Sequence, residues 1–171
     1  MTGLEHLWSG WRSQYIESVS AGPRPDCVFC AILSSGLPDT DTHILWRHPG
    51  GGVIAILNAY PYASGHLMVM PVRHVADLEG LDDDESAALW DGLRLGVRAL
   101  KAAYGPDGIN VGANLGHAAG AGVPTHLHLH AVPRWVGDTN FMTALADARV
   151  LPEPLSRTDE RLRGAWGAPG D

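Results

Sequence analysis

Residues 125–135 read Thr-His-Leu-His-Leu-His-Ala-Val-Pro-Arg-Trp. Successive side chains of an extended chain leave opposite faces, so His126, His128 and His130 share one face of a strand and Leu127, Leu129 and Ala131 the other. An imidazole offers a metal ligand, a proton carrier or a nucleophilic nitrogen, and each use needs a defined tautomer. A tag-like tract would lack this interleaved apolar register. Just upstream, residues 114–122 read Asn-Leu-Gly-His-Ala-Ala-Gly-Ala-Gly, whose small side chains let backbone N–H groups surround an anion. The segment matches neither the dinucleotide nor the Walker pattern. A histidine strand beside an anion-binding loop suits phosphoryl chemistry.

The only two cysteines form the motif Cys27-Val-Phe-Cys30. In a reducing compartment such a pair reads as metal ligands or a redox motif, not a structural disulfide. No βαβ pattern follows it, which weighs against a thioredoxin-like role.

The elements that must position these groups follow from periodicity. Residues 4–19 carry Leu7, Trp8, Trp11, Tyr15 and Ile16 at near-helical spacing, predicting a short N-terminal helix or docking arm. Gly22, Pro23 and Pro25 interrupt it, and residues 27–33 read as a knuckle and short helix. Strands are expected at 43–47, 52–57, 67–71, 109–113 and 126–132. Leu81-Asp-Asp-Asp-Glu85 opens a long helix whose acidic start suits the positive helix terminus. Its buried stripe is read as Leu89, Leu93, Val97, Leu100 and Tyr104, and Gly105-Pro106 ends it. The organisation expected is an arm over 1–26, one α+β domain over 27–152 with a five-stranded antiparallel sheet, and an exposed C-terminal tail over 153–171.

With 171 residues, 45% hydrophobic and 18% charged, the chain fits one core. A net charge of −7 argues against a nucleic-acid binder, which needs an excess of Lys and Arg. The first residues lack a cationic start and apolar run, and no stretch is long enough to span a membrane, so a cytoplasmic protein is expected.

These motifs resemble the histidine triad (HIT) family of nucleotide hydrolases and transferases, whose signature alternates three histidines with apolar residues, as His126-Leu-His128-Leu-His130-Ala-Val does here. The resemblance extends to Trp8-Ser-Gly-Trp11, Leu57-Asn58-Ala-Tyr60-Pro61, Gly65-His66, Pro71-Val-Arg-His74, Asn114-Leu-Gly116 and Pro133-Arg-Trp135, and within the family to a bacterial zinc-containing branch of diadenosine tetraphosphate phosphorylases. It implies a HIT-like fold and a homodimer. It also implies cleavage of a nucleoside polyphosphate, with His128 attacking the α-phosphorus and His130 bonding the phosphate or leaving oxygen. Asn114 and the Ala121 and Gly122 amides would hold non-bridging oxygens, and Asn58 the ribose. Gly122 stands where many relatives carry serine, which removes a hydroxyl contact to phosphate. Cys27, Cys30, His74 and His126 would bind a structural zinc with no open position. Other readings are a phosphoramidate substrate, a nucleotide-binding regulatory module, or a catalytic metal held by the three histidines themselves. His66 is read as structural, and His117 as a lesser candidate for substrate contact.

Overall fold

A computed structural model of the protein describes residues 26–138 and 153–167. The expected N-terminal helix, with Trp8, Trp11 and Tyr15, lies outside the described residues, as do Phe141, Met142 and Leu145. Helix α1 spans Val28–Ser34 and a one-turn helix α2 spans Asp39–Thr42. Strands β1 (Ile44–Arg47), β2 (Val53–Leu57) and β3 (Leu67–Pro71) follow, then helix α3 (Asp83–Tyr104). Strands β4 (Gly108–Gly112) and β5 (Leu129–Arg134) and helix α4 (Leu155–Ala165) complete the order. The strands form one five-stranded sheet in the order β1-β2-β3-β5-β4, and every neighbouring pair is antiparallel.

Every residue of β2 and β3 is buried, so their sequences, Val-Ile-Ala-Ile-Leu and Leu-Met-Val-Met-Pro, run apolar without a polar alternate. Both sheet faces are covered. Val53, Ala55, Leu57, Leu67, Val69, Leu129 and Ala131 pack against Leu89, Leu93 and Leu100 of α3 and Leu162 of α4. Ile44, Ile54, Ile56, Met68 and Met70 pack on the other face with Cys27 and Phe29 at the start of α1.

Helix α3 starts in a capping box. Asp82 accepts from the Glu85 N–H, and the Glu85 side chain accepts from the Asp82 N–H. Its buried stripe differs from the expected one: Val97 and Tyr104 are only partly buried, and Ala88, Gly92, Gly96 and Ala99 join Leu89, Leu93 and Leu100. The glycines let side chains approach closely. A Cβ on Gly92 would stand 2.8 Å from the Trp46 ring, and one on Gly96 would stand 3.1 Å from Leu67, with Trp166 in ordinary contact at 3.4 Å. Those two indoles stack at 6.1 Å.

The structure corrects two further expectations. The histidine strand begins at Leu129, not at residue 126. Its partner β3 ends at Pro71, which has no N–H for the ladder, and the Leu127 N–H donates to the Val75 carbonyl instead. The segment after Glu153 is not an exposed tail. Helix α4 packs on α3 and β1, with Leu162 fully buried, and Arg163 ties Asp159 to the Asp39 and Ile44 carbonyls.

Candidate active site and metal centre

His126, His128 and His130 lie on the sheet face opposite α3, as their alternation requires, but their ring nitrogens face different partners. His126 is 1% exposed and donates from Nε2 to the Pro71 carbonyl at 2.9 Å. Its Nδ1 therefore carries a lone pair, and it faces Cys27 Sγ at 3.3 Å and Cys30 Sγ at 3.6 Å. His74 Nδ1 lies 3.2 Å from Cys30 Sγ. The ligand atoms of Cys27, Cys30, His74 and His126 all fall within 4.8 Å of one another. Four tetrahedral ligands at ~2.0–2.3 Å from a metal stand roughly 3.3–3.8 Å apart, so this set fits one ion with every position filled by protein. The Pro71 carbonyl is the outer partner that fixes the His126 tautomer. Burial pushes the Cys30 thiol above its usual range and His126 below.

His128, 6% exposed, donates from Nδ1 to the carbonyl of His126 at 2.8 Å. Its Nε2 keeps the lone pair, the state a nucleophile needs. The ring packs edge to face on Phe29 (5.2 Å) and on His130 (4.9 Å). This divergence separates the three histidines, so they do not converge on one catalytic metal.

His130 has a partner that sequence reading assigned to structure. The Tyr62 N–H donates to His66 Nδ1 at 3.1 Å, which places the His66 proton on Nε2. His66 Nε2 then donates to His130 Nδ1 at 2.9 Å, and the neutral His130 carries its own proton on Nε2. Burial lowers the His130 pKa to about 4, with the neighbouring His128 adding to the effect. A proton on His130 Nδ1 would also meet the His66 N–H head-on. Beside His130, across the β4–β5 pairing, stands Gly112, where a Cβ would touch nothing within 4 Å. The edge of the sheet is thus open next to this ring.

Asn58 accepts from the Tyr60 N–H at 2.8 Å, closing the turn after β2, and its amide nitrogen lies 3.4 Å from the His66 ring nitrogens. Asn114 is partly buried two residues past β4, and Gly122 is exposed. The Ala121 N–H donates to the Gly116 carbonyl at 3.3 Å, so in this conformation it bonds the loop itself. His117 lies exposed in a short 3₁₀ turn of the same loop.

Near the metal ligands, Arg73 grips both carboxylate oxygens of Glu85 (2.9 and 2.7 Å) and donates to the Gly80 carbonyl. The loop that carries His74 is thereby fastened to the start of α3. This link holds Glu85 below the usual carboxylate range.

An antiparallel sheet with a histidine run on one face and a cysteine-histidine knuckle over it defines the class as an α+β protein with a candidate metal centre beside its histidines. The chain belongs to the HIT domain family, which matches residues 39–136. It is 39% identical to a Mycobacterium tuberculosis (strain H37Rv) protein named AP-4-A phosphorylase, over 95% of this chain and 85% of that one. A zinc-bound histidine triad protein from Mycobacterium smegmatis superposes with a TM-score of 0.64 at 31% identity, covering 81% of this chain and 91% of that structure. A hypothetical histidine triad nucleotide-binding protein from Sulfolobus tokodaii superposes with a TM-score of 0.65 at 28% identity, over the same shares. The chain is an enzyme of this family. Among the described residues no helix is long and apolar enough to cross a membrane.

Proposed function

We propose that this protein cleaves nucleoside polyphosphates of the diadenosine tetraphosphate type at the α-phosphate, through a nucleotidyl-His128 intermediate. The observation that carries this reading is the His128 tautomer: Nδ1–H bonded to the His126 carbonyl leaves Nε2 as the attacking nitrogen. Nε2 bonds to phosphorus, the bond to the leaving oxygen breaks, and that oxygen keeps the electron pair. The His130 Nε2–H bonds the leaving or a non-bridging oxygen. Phosphate or water then attacks the phosphorus and returns the lone pair to His128, giving a nucleoside diphosphate or monophosphate respectively.

Asn114 and the Gly122 amide stabilise the charge that develops on the phosphoryl oxygens, and the Ala121 amide joins once it leaves the Gly116 carbonyl. Asn58 retains one lone pair on its oxygen for a ribose hydroxyl. The metal fitted by Cys27, Cys30, His74 and His126 is read as structural zinc, which would fold the knuckle onto the sheet and leave no open coordination position. The active form is read as a cytoplasmic homodimer. Gly122 favours a second reading, in which water is the acceptor or a nucleoside phosphoramidate is the substrate, since no side-chain hydroxyl stands there to receive phosphate.

The test is product analysis of diadenosine tetraphosphate incubated with the wild type and with His128→Ala, each with and without inorganic phosphate. ADP that forms only with phosphate, and only with the wild type, supports phosphorolysis through His128. AMP that forms equally without phosphate supports hydrolysis. An unreactive wild type would retire this substrate.

A further inference from the structure

Phe29 sits between the two cysteines of the knuckle, in the first turn of α1, and is 7% exposed. Its ring touches two of the three strand histidines, His126 at 5.4 Å (79°) and His128 at 5.2 Å (62°). Behind it stand Ile44, Ile54, Ile56, Met68 and Met70. The His128 imidazole is anchored by one hydrogen bond at Nδ1, which fixes one atom of the ring and leaves the plane free to rock about it. Packing from Phe29 and from His130 limits that rocking. Phe29 itself is flanked in sequence by Cys27 and Cys30, two members of the metal-fitting cluster.

We propose that Phe29 is the positioning residue of the nucleophile, through which the metal knuckle sets the orientation of the His128 ring. The proposal rests on the reading of His128 as nucleophile. Its physical basis is that a phosphoryl acceptor must lie in line with the bond that breaks, and a misplacement of ~1 Å costs on the order of 10²-fold in rate. Phe29 touches no reacting atom in this role. It holds the ring whose Nε2 does.

The experiment compares Phe29→Leu, Phe29→Met and Phe29→Tyr with the wild type, as full-length zinc-loaded protein. Three quantities are measured: zinc content with thermal melting, kcat and KM on diadenosine tetraphosphate, and the His128 tautomer by imidazole nitrogen NMR without substrate. With zinc and cooperative melting retained, Leu and Met are expected to lower kcat about tenfold or more with KM within about twofold, while Tyr, which keeps the ring, restores kcat. The NMR signals are expected to show a single Nδ1–H tautomer in the wild type and Tyr variants and a mixture in Leu and Met. The proposal is overturned if Leu and Met keep both kcat and the single tautomer, or if activity falls only in proportion to zinc lost. A raised KM with kcat intact also overturns it and assigns Phe29 to nucleobase binding. A wild type inactive on diadenosine tetraphosphate overturns the functional reading alone, and the tautomer comparison then decides Phe29.

Discussion

An imidazole that accepts from a second imidazole has its proton placed for it, and His130 is such a ring. His66 donates to its Nδ1, so the His130 proton points away from His66. Replacing His66 by Phe keeps an aromatic ring and removes that N–H. We expect kcat to fall by about tenfold or more with substrate affinity retained, read from kcat and KM separately. The lowered pKa of His130 makes a second expectation. Between the ordinary histidine value of 6.5 and about 4, the unfolded chain binds a proton at this site and the folded chain does not. The contribution to stability is complete above 6.5 and declines as pH falls toward 4. Melting temperature against pH should therefore drop less steeply for His130→Gln than for the wild type, and equal slopes would refute the assignment. The histidine run and the knuckle were legible from spacing because strand alternation and Cys-x-x-Cys are local patterns. The role of His66 was not, since its partner lies 64 residues away and only the β3–β5 pairing brings the two together.

Among the elements, β2, β3 and α3 were readable because apolar runs of strand length, a capping box and Gly105-Pro106 each mark their own boundaries. The start of β5 was not readable. It depends on where β3 stops, and Pro71 is 58 residues upstream of Leu129. Helix α4 was missed because its buried stripe is narrow: Leu162 is its one fully buried large apolar residue, and buried Thr158 and Asp159 read as solvated positions. Its attachment is largely polar. Tyr104 donates to Glu153, Arg161 lies 4.3 Å over the Tyr104 ring, and burial with the Glu153 contact pushes the Tyr104 hydroxyl pKa up to about 12. Leu162→Ala should cost about 2–4 kcal/mol, read as a lower denaturant midpoint at unchanged slope. A loss below about 0.5 kcal/mol would mean that α4 docks through its charged contacts alone.

At the scale of the whole molecule, the sheet is a middle layer. One face is closed by α3 and α4, the other by α1 with Cys27 and Phe29. The second closure is small and relies on the knuckle being folded. Removing metal with a chelator should lower the melting temperature and increase binding of a hydrophobic dye, with both reversed by added zinc. An unchanged melting curve would show that the two cysteines and two histidines pack without an ion. The gathering of these four residues from three distant segments also shows why such a site can only be suspected, not read, from any one stretch of sequence.

Zinc bound at this cluster would matter beyond catalysis. A chain made when zinc is scarce would carry Ile54, Ile56, Met68 and Met70 under an unfastened cover. Exposed apolar surface of this kind is what chaperones and proteases sort by, and a stability change of about 1–2 kcal/mol alters abundance several-fold. Metal supply would then govern how many copies of the enzyme a cell keeps, before it governs how fast any copy turns over.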